Sequence, residues 1–114
     1  MARRSGFSAQ TLSVLASLEA DPTAWRHGYL LATETRLRSG TLYSILIRLA
    51  ERGLVEACWE DGQPAGRPPR HLYRLSSDGL ALARAALAEQ ARLNHRRAAI
   101  AGRAGGRRVA ARGA

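Results

Sequence analysis

From Ser8 onward, runs of helical periodicity are separated by short breaks. Leu12, Leu15, Ala16 and Glu19 fall at helical spacing, Val14 and Leu18 widen the apolar face, and Ser8 stands where an N-cap is needed. Asp21-Pro22 closes this first helix, because the residue before a proline is pushed out of the helical region. A second helix is predicted from about Thr23 toward Leu37, carrying Trp25, Tyr29, Leu30, Ala32 and Thr33, and Ser39-Gly40 breaks it. The third runs from about Thr41 to Arg52 with a buried stripe of Leu42, Ile45, Leu46 and Leu49. Gly53 is its expected terminator, where a left-handed residue closes the last turn.

Beyond Gly53 the pattern changes. Residues 54–60 read as a strand and residues 71–75 as its antiparallel partner. Between them, Asp61 to Arg70 holds two Gly, three Pro and two Arg, a composition that forbids helix and favours an extended hairpin loop. Ser76-Ser77-Asp78 supplies a capping serine and a first-turn carboxylate for a last helix. That helix bears two apolar stripes: Leu80, Ala83, Leu87 and Ala91 on one side, Leu82, Ala86, Leu93 and Ile100 on the other. Two buried faces need two partners, and the second is most simply the same helix of another copy.

Helix, turn, helix, strand, Arg-rich hairpin and returning strand is the plan of a winged helix-turn-helix, whose second helix enters the DNA major groove. The expected fold is therefore mainly α with a small β-hairpin (α+β), a winged helix-turn-helix with a C-terminal dimerisation helix. The expected organisation is a flexible basic arm over 1–7, the DNA-binding domain over 8–75, the dimerisation helix over 76–96 and a disordered Arg/Ala/Gly-rich tail over 97–114.

Charge supports a polyanionic partner. The 114 residues carry 18 basic against 9 acidic side chains, a formal net charge of +9, and all 18 are arginine. A coding bias toward GC-rich codons accounts for most of the missing lysine, but it leaves the charge in place. Guanidinium groups suit phosphate and guanine edges because both accept two parallel hydrogen bonds. Cys58 is a lone cysteine without an internal disulfide partner, no apolar run is long enough to span a bilayer, and the N-terminal arginines precede no apolar signal segment. The expected compartment is the cytoplasm.

With the stripe of the third helix facing inward, Thr41, Ser44, Ile47, Arg48 and Glu51 face outward and Tyr43 sits at the border. Ser39, Thr41, Tyr43 and Ser44 are candidate partners for phosphates or bases near the helix start, and Arg48 for a phosphate or guanine edge one turn on. Arg67 and Arg70, on the proline-stiffened loop, are candidates for the minor groove. Ser39 and Thr41 serve equally well as helix caps, and Tyr43 as a half-buried core ring. His27, His71 and His95 are scattered and give no metal spacing, and no nucleophile–base set, paired-carboxylate site or phosphate-binding glycine loop exists. No enzymatic activity, metal or cofactor is expected.

HGY at His27, GTLY at Gly40, the segment ending LVE at Glu56, GRP at Gly66 and YRL at Tyr73 follow one another in an order that resembles the PadR-like transcriptional regulators. The resemblance implies a homodimer whose first and last helices build the interface, here Leu12, Leu15, Leu82, Leu87 and Leu93. It also implies repression of a nearby promoter, often relieved by a small-molecule effector, which would sit near Trp25, Tyr29 or the last helix. Ser44 stands where family members commonly have proline, Ile47 where a basic residue is usual, and the last helix has no aromatic residue to line an effector pocket. The leading expectation is a sequence-specific, dimeric regulator of transcription, a repressor, binding double-stranded DNA. The alternatives are a non-specific basic nucleic-acid binder driven by the Arg-rich ends, and a winged-helix protein-interaction module favoured by the outward Ile47.

Overall fold

A computed structural model of the chain describes residues 6–61, 65–66 and 70–113, with side chains through Gly102. The order is α1 (Ala9–Glu19), β1 (Arg26–His27), α2 (Gly28–Thr35), α3 (Ser39–Glu51), β2 (Val55–Trp59), β3 (His71–Leu75) and α4 (Ser77–Gly113). Local chemistry sets the helix boundaries. Ser8 Oγ accepts from the Thr11 N–H at 3.1 Å and caps α1. Ser76 Oγ accepts from the Gly79 N–H at 3.0 Å at the start of α4. At the end of α3, Gly53 takes φ 74°. Its N–H donates to Ala50 O, and the Leu54 N–H donates back to Leu49 O, both at 2.9 Å, which closes the last turn as a Schellman motif.

The amphipathic pattern of α3 is realised residue by residue. Leu42, Ile45, Leu46 and Leu49 are all buried, each burial contributing roughly 1.5–3 kcal/mol. They meet Val14, Leu15 and Leu18 of α1, Leu31 of α2, Val55, Tyr73 and Leu75 of the sheet, and Ala83 and Ala86 of α4 in one core. The alanines let α4 pack closely on α1, and Arg84 reaches Glu19 across that seam at 3.3 Å.

The sheet is antiparallel with order β1-β3-β2. Val55 pairs with Leu75 and Trp59 with His71, while Arg26 and His27 pair with Tyr73 and Leu72. The third strand departs from the predicted hairpin. As a consequence α2 begins at Gly28 rather than near Thr23, because backbone pairing with β3 holds Arg26 and His27 extended.

Two predicted segment ends also differ. Phe7, placed in the flexible arm, is half-buried against the core, and the Arg52 guanidinium stands 5.3 Å above its ring. The last helix continues past Arg96 to Gly113 where a disordered tail was expected. Alanine and arginine are strong helix formers, and extending an existing helix avoids the cost of nucleation.

Candidate nucleic-acid interface

The helix-turn-helix consists of α2, a three-residue turn and α3. Thr35 Oγ1 donates to Leu31 O at 2.7 Å as α2 ends, and Arg36 leaves the helix in the left-handed region at φ 60°. Arg38 is the N-cap of α3, and no side chain caps that end. Ser39 therefore lies inside the helix, and neither it nor Thr41 performs the capping role the sequence left open. No acidic residue occupies the first turn of α3, so the positive end of the helix is uncompensated. Ser39, Ser44 and Arg48 are exposed and Thr41 is half-buried, all on or beside the outward face.

Tyr43 is 38% exposed and does two things at once. Its ring lies 6.3 Å from that of Tyr73, tilted by 55°. It also packs on Gly28, where an added Cβ would sit 2.2 Å from the Tyr43 hydroxyl oxygen and within 2.8 Å of the ring. The glycine of HGY and the tyrosine of GTLY are thus one contact, and the Tyr43 ring packs on Gly28 and Tyr73 while part of its surface stays exposed. Burial, and then the Tyr43 hydroxyl nearby, pushes the Tyr73 phenol above its ordinary pKa. Tyr73 Oη lies 3.3 Å from His71 Nδ1, and the His71 ring stacks on Trp59 with centroids 3.9 Å apart.

A cleft of about 520 Å³ opens between α3 and the base of the wing, lined by His27, Gly28, Tyr29, Tyr43, Ile47, Arg70, His71 and Tyr73. Tyr29, one of the two aromatic positions considered for an effector, is on its rim. Trp25, the other, is covered by the Arg74 guanidinium at 4.3 Å. His27 Nδ1 is buried without a partner among the described residues.

The arginines divide into two groups. Arg26 pairs with Glu34, Arg74 with Glu56 at 2.9 Å, Arg84 with Glu19 and Arg92 with Glu89. Arg70, expected at the DNA, donates to both oxygens of Glu60 at 3.2 and 3.3 Å. The hairpin enforces that pairing, since the Glu60 N–H donates to Arg70 O at 2.7 Å and sets the two side chains opposite each other. Arg67 lies outside the described residues. By contrast Arg36, Arg38 and Arg48 are exposed and have no acidic partner among the described residues. Arg36 and Arg38 were not singled out from the sequence; their position in a three-residue turn between two helices was the available signal.

Of the residues expected at a subunit interface, Leu12 and Leu15 are covered by the chain's own core, Leu15 being 1% exposed. Leu82, Leu87 and Leu93 keep accessible surface, and Ile100 beyond them is 57% exposed. Among the described residues no group of His, Cys, Asp and Glu could hold a metal ion, and no helix is long and apolar enough to cross a membrane.

An outward second helix, a hairpin wing and a C-terminal helix define the fold of the winged-helix transcription regulators. Residues 14–85, more than half of the chain, match the Transcriptional regulator PadR-like family, and the chain belongs to it. It superposes with a TM-score of 0.70 on a PadR family transcription regulator from Clostridium difficile, at 21% identity, covering 83% of this chain and 100% of that one. PcaV, a transcriptional regulator of Streptomyces coelicolor solved in complex with its natural ligand, aligns with a TM-score of 0.65 and 25% identity over 77% of this chain. A MarR family regulator from Silicibacter pomeroyi aligns with a TM-score of 0.62 and 27% identity over 84% of it. The chain spans only 58% and 62% of the lengths of these last two. A sequence comparison with curated proteins gives no match.

Proposed function

We propose that the chain is a homodimeric, sequence-specific DNA-binding repressor, with α3 in the major groove and the 61–70 hairpin against the minor groove. The observation that carries this reading is the unneutralised charge along the outward side of α3 and in the turn that precedes it. Arg36 and Arg38 before the helix and Arg48 in its last turn are exposed without carboxylate partners among the described residues, and the uncapped helix start offers free backbone amides beside Arg38. Elsewhere on the winged domain Arg26, Arg70 and Arg74 are neutralised by Glu34, Glu60 and Glu56. A surface whose described cations stand unpaired around an outward helix suits a phosphate backbone. Ser39, Thr41, Tyr43 and Ser44 supply hydroxyls there, and Arg48 a guanidinium for a phosphate or guanine edge. Arg70 reaches DNA only by exchanging Glu60 for phosphate, which makes it a weaker contributor than Arg48; Arg67 is kept as its neighbour on the wing.

Dimerisation is proposed through α4, where Leu82, Leu87, Leu93 and Ile100 retain apolar surface that no other described residue covers. Two copies then set their third helices about 34–36 Å apart on a palindromic site. The test is an electrophoretic shift with DNA upstream of the chain's own gene and with scrambled DNA, at about 150 mM salt with competitor. A discrete complex on the upstream fragment, with two chains per site, is expected. Equal binding to both, abolished by deleting residues 97–114, would replace this reading with a basic-tail binder.

A further inference from the structure

We infer that Ile47 is a sequence-reading residue whose side chain recognises the 5-methyl group of a thymine in the major groove. The inference rests on the proposed placement of α3 and adds what that helix reads. Ile47 is 58% exposed on the outward face of α3, one turn after Tyr43 and next to Arg48. A lone exposed isoleucine is unremarkable in itself. This one continues an apolar surface, sharing the cleft with Tyr43 and with Tyr29, which is 78% exposed.

What surrounds that surface selects its partner. Arg36 and Arg38 at the helix start and Arg48 beside Ile47 carry charge with no acidic partner among the described residues. An apolar spot bordered by unpaired guanidinium groups calls for a partner that is anionic around an apolar point. On the major-groove edge of duplex DNA the thymine methyl is that point, and phosphates flank it. The residue type also fits. A β-branched side chain on a helix holds essentially one χ1 rotamer, so the Ile47 methyls are presented at fixed positions with little entropy to lose.

The test uses the full chain and the highest-affinity duplex it recovers from random DNA. Each thymine is replaced singly by deoxyuridine, which removes only the methyl, and binding is titrated at constant salt. The expected result is one thymine per half-site at which uracil weakens binding roughly fourfold, the worth of one methyl withdrawn from water. Ile47→Ala should lose a similar factor on the thymine duplex and bind the two duplexes equally. Ile47→Val, which keeps the branched carbon, should retain the discrimination. Uracil tolerated at every position overturns the inference. So does an undiminished preference for thymine in Ile47→Ala, which would assign the methyl to another side chain. Recovery of no preferred duplex overturns the DNA-reading proposal together with it.

Discussion

The two ends of α3 are built in opposite ways. At the C-terminal end the polar groups of the junction are engaged: the Schellman bonds close the helix, the Ser76 N–H donates to Leu54 O at 3.0 Å, and Ser76 Oγ donates to Gly53 O at 2.7 Å. The first turn of α4 presses so closely there that a Cβ on Gly79 would lie 1.8 Å from Leu54 O. At the N-terminal end Arg38 caps without a side-chain bond, the first turn has no carboxylate, and the neighbouring arginines have no acidic partner among the described residues. A helix in a small domain gains stability from caps at both ends. One end closed and the other bare separates the part of α3 that holds the fold from the part available to a ligand.

The closed end breaks most severely. Gly79→Ala forces a methyl into a backbone carbonyl, and about 3 kcal/mol of stability should be lost, lowering the thermal midpoint by roughly 10 °C. Thermal unfolding followed by circular dichroism checks this; a shift of a degree or two would mean that α4 slides without cost. On the outward face of the last turn, Arg48→Ala should weaken DNA binding by about 1–3 kcal/mol if it bonds a base, while the thermal midpoint stays within error. Arg70→Ala should weaken binding less, because Glu60 already neutralises that guanidinium.

Arg38→Asp sharpens the comparison most directly, since its two effects run in opposite directions. The position already has the extended backbone of an N-cap, φ −66° and ψ 150°, so an aspartate there can cap α3 and complement its dipole. Stability should rise by about 1 kcal/mol and DNA affinity should fall, with the salt dependence shallower by about one ion. Parallel changes in both quantities would contradict the division of labour.

The smallest effect concerns pH. The Ser17 hydroxyl, donating to Glu34, and then the Arg26 guanidinium hold the Glu34 carboxyl below its ordinary value of 4.5, against an opposing contribution from burial. A depressed carboxyl contributes stability above its unfolded pKa and loses it as pH falls through the folded value. Wild-type protein should therefore lose stability more steeply below about pH 4.5 than Glu34→Gln. Superimposable acid-denaturation curves would show that this pairing contributes nothing.

The closed end was legible because its signals are local. Gly53 as terminator and Ser76 as cap each follow from one residue type at one position, as do the Ser8 cap of α1 and the four-residue stripe of α3 elsewhere. What the sequence concealed depends on partners distant in the chain. A two-residue strand at Arg26 has no period to detect, so β1 emerged only from its pairing with β3. Leu15 fell on a plausible interface face, yet periodicity identifies a buried side without saying what buries it. Arg70 and Arg48 look alike as arginines on elements expected to face DNA. The hairpin register that brings Glu60 to one of them, and nothing to the other, is a tertiary fact.

The length of α4 has a consequence for how the protein responds to its own abundance. At 1.5 Å per residue its 37 residues extend about 55 Å, and beyond Leu87 it runs out past the core that covers its first turns. If this outer half is completed by another copy, folding and assembly become one equilibrium. The melting temperature then rises with protein concentration, and dilution weakens the fold along with the dimer. Under that linkage, the amount of chain present governs both how many binding sites are filled and how much of the chain survives to fill them.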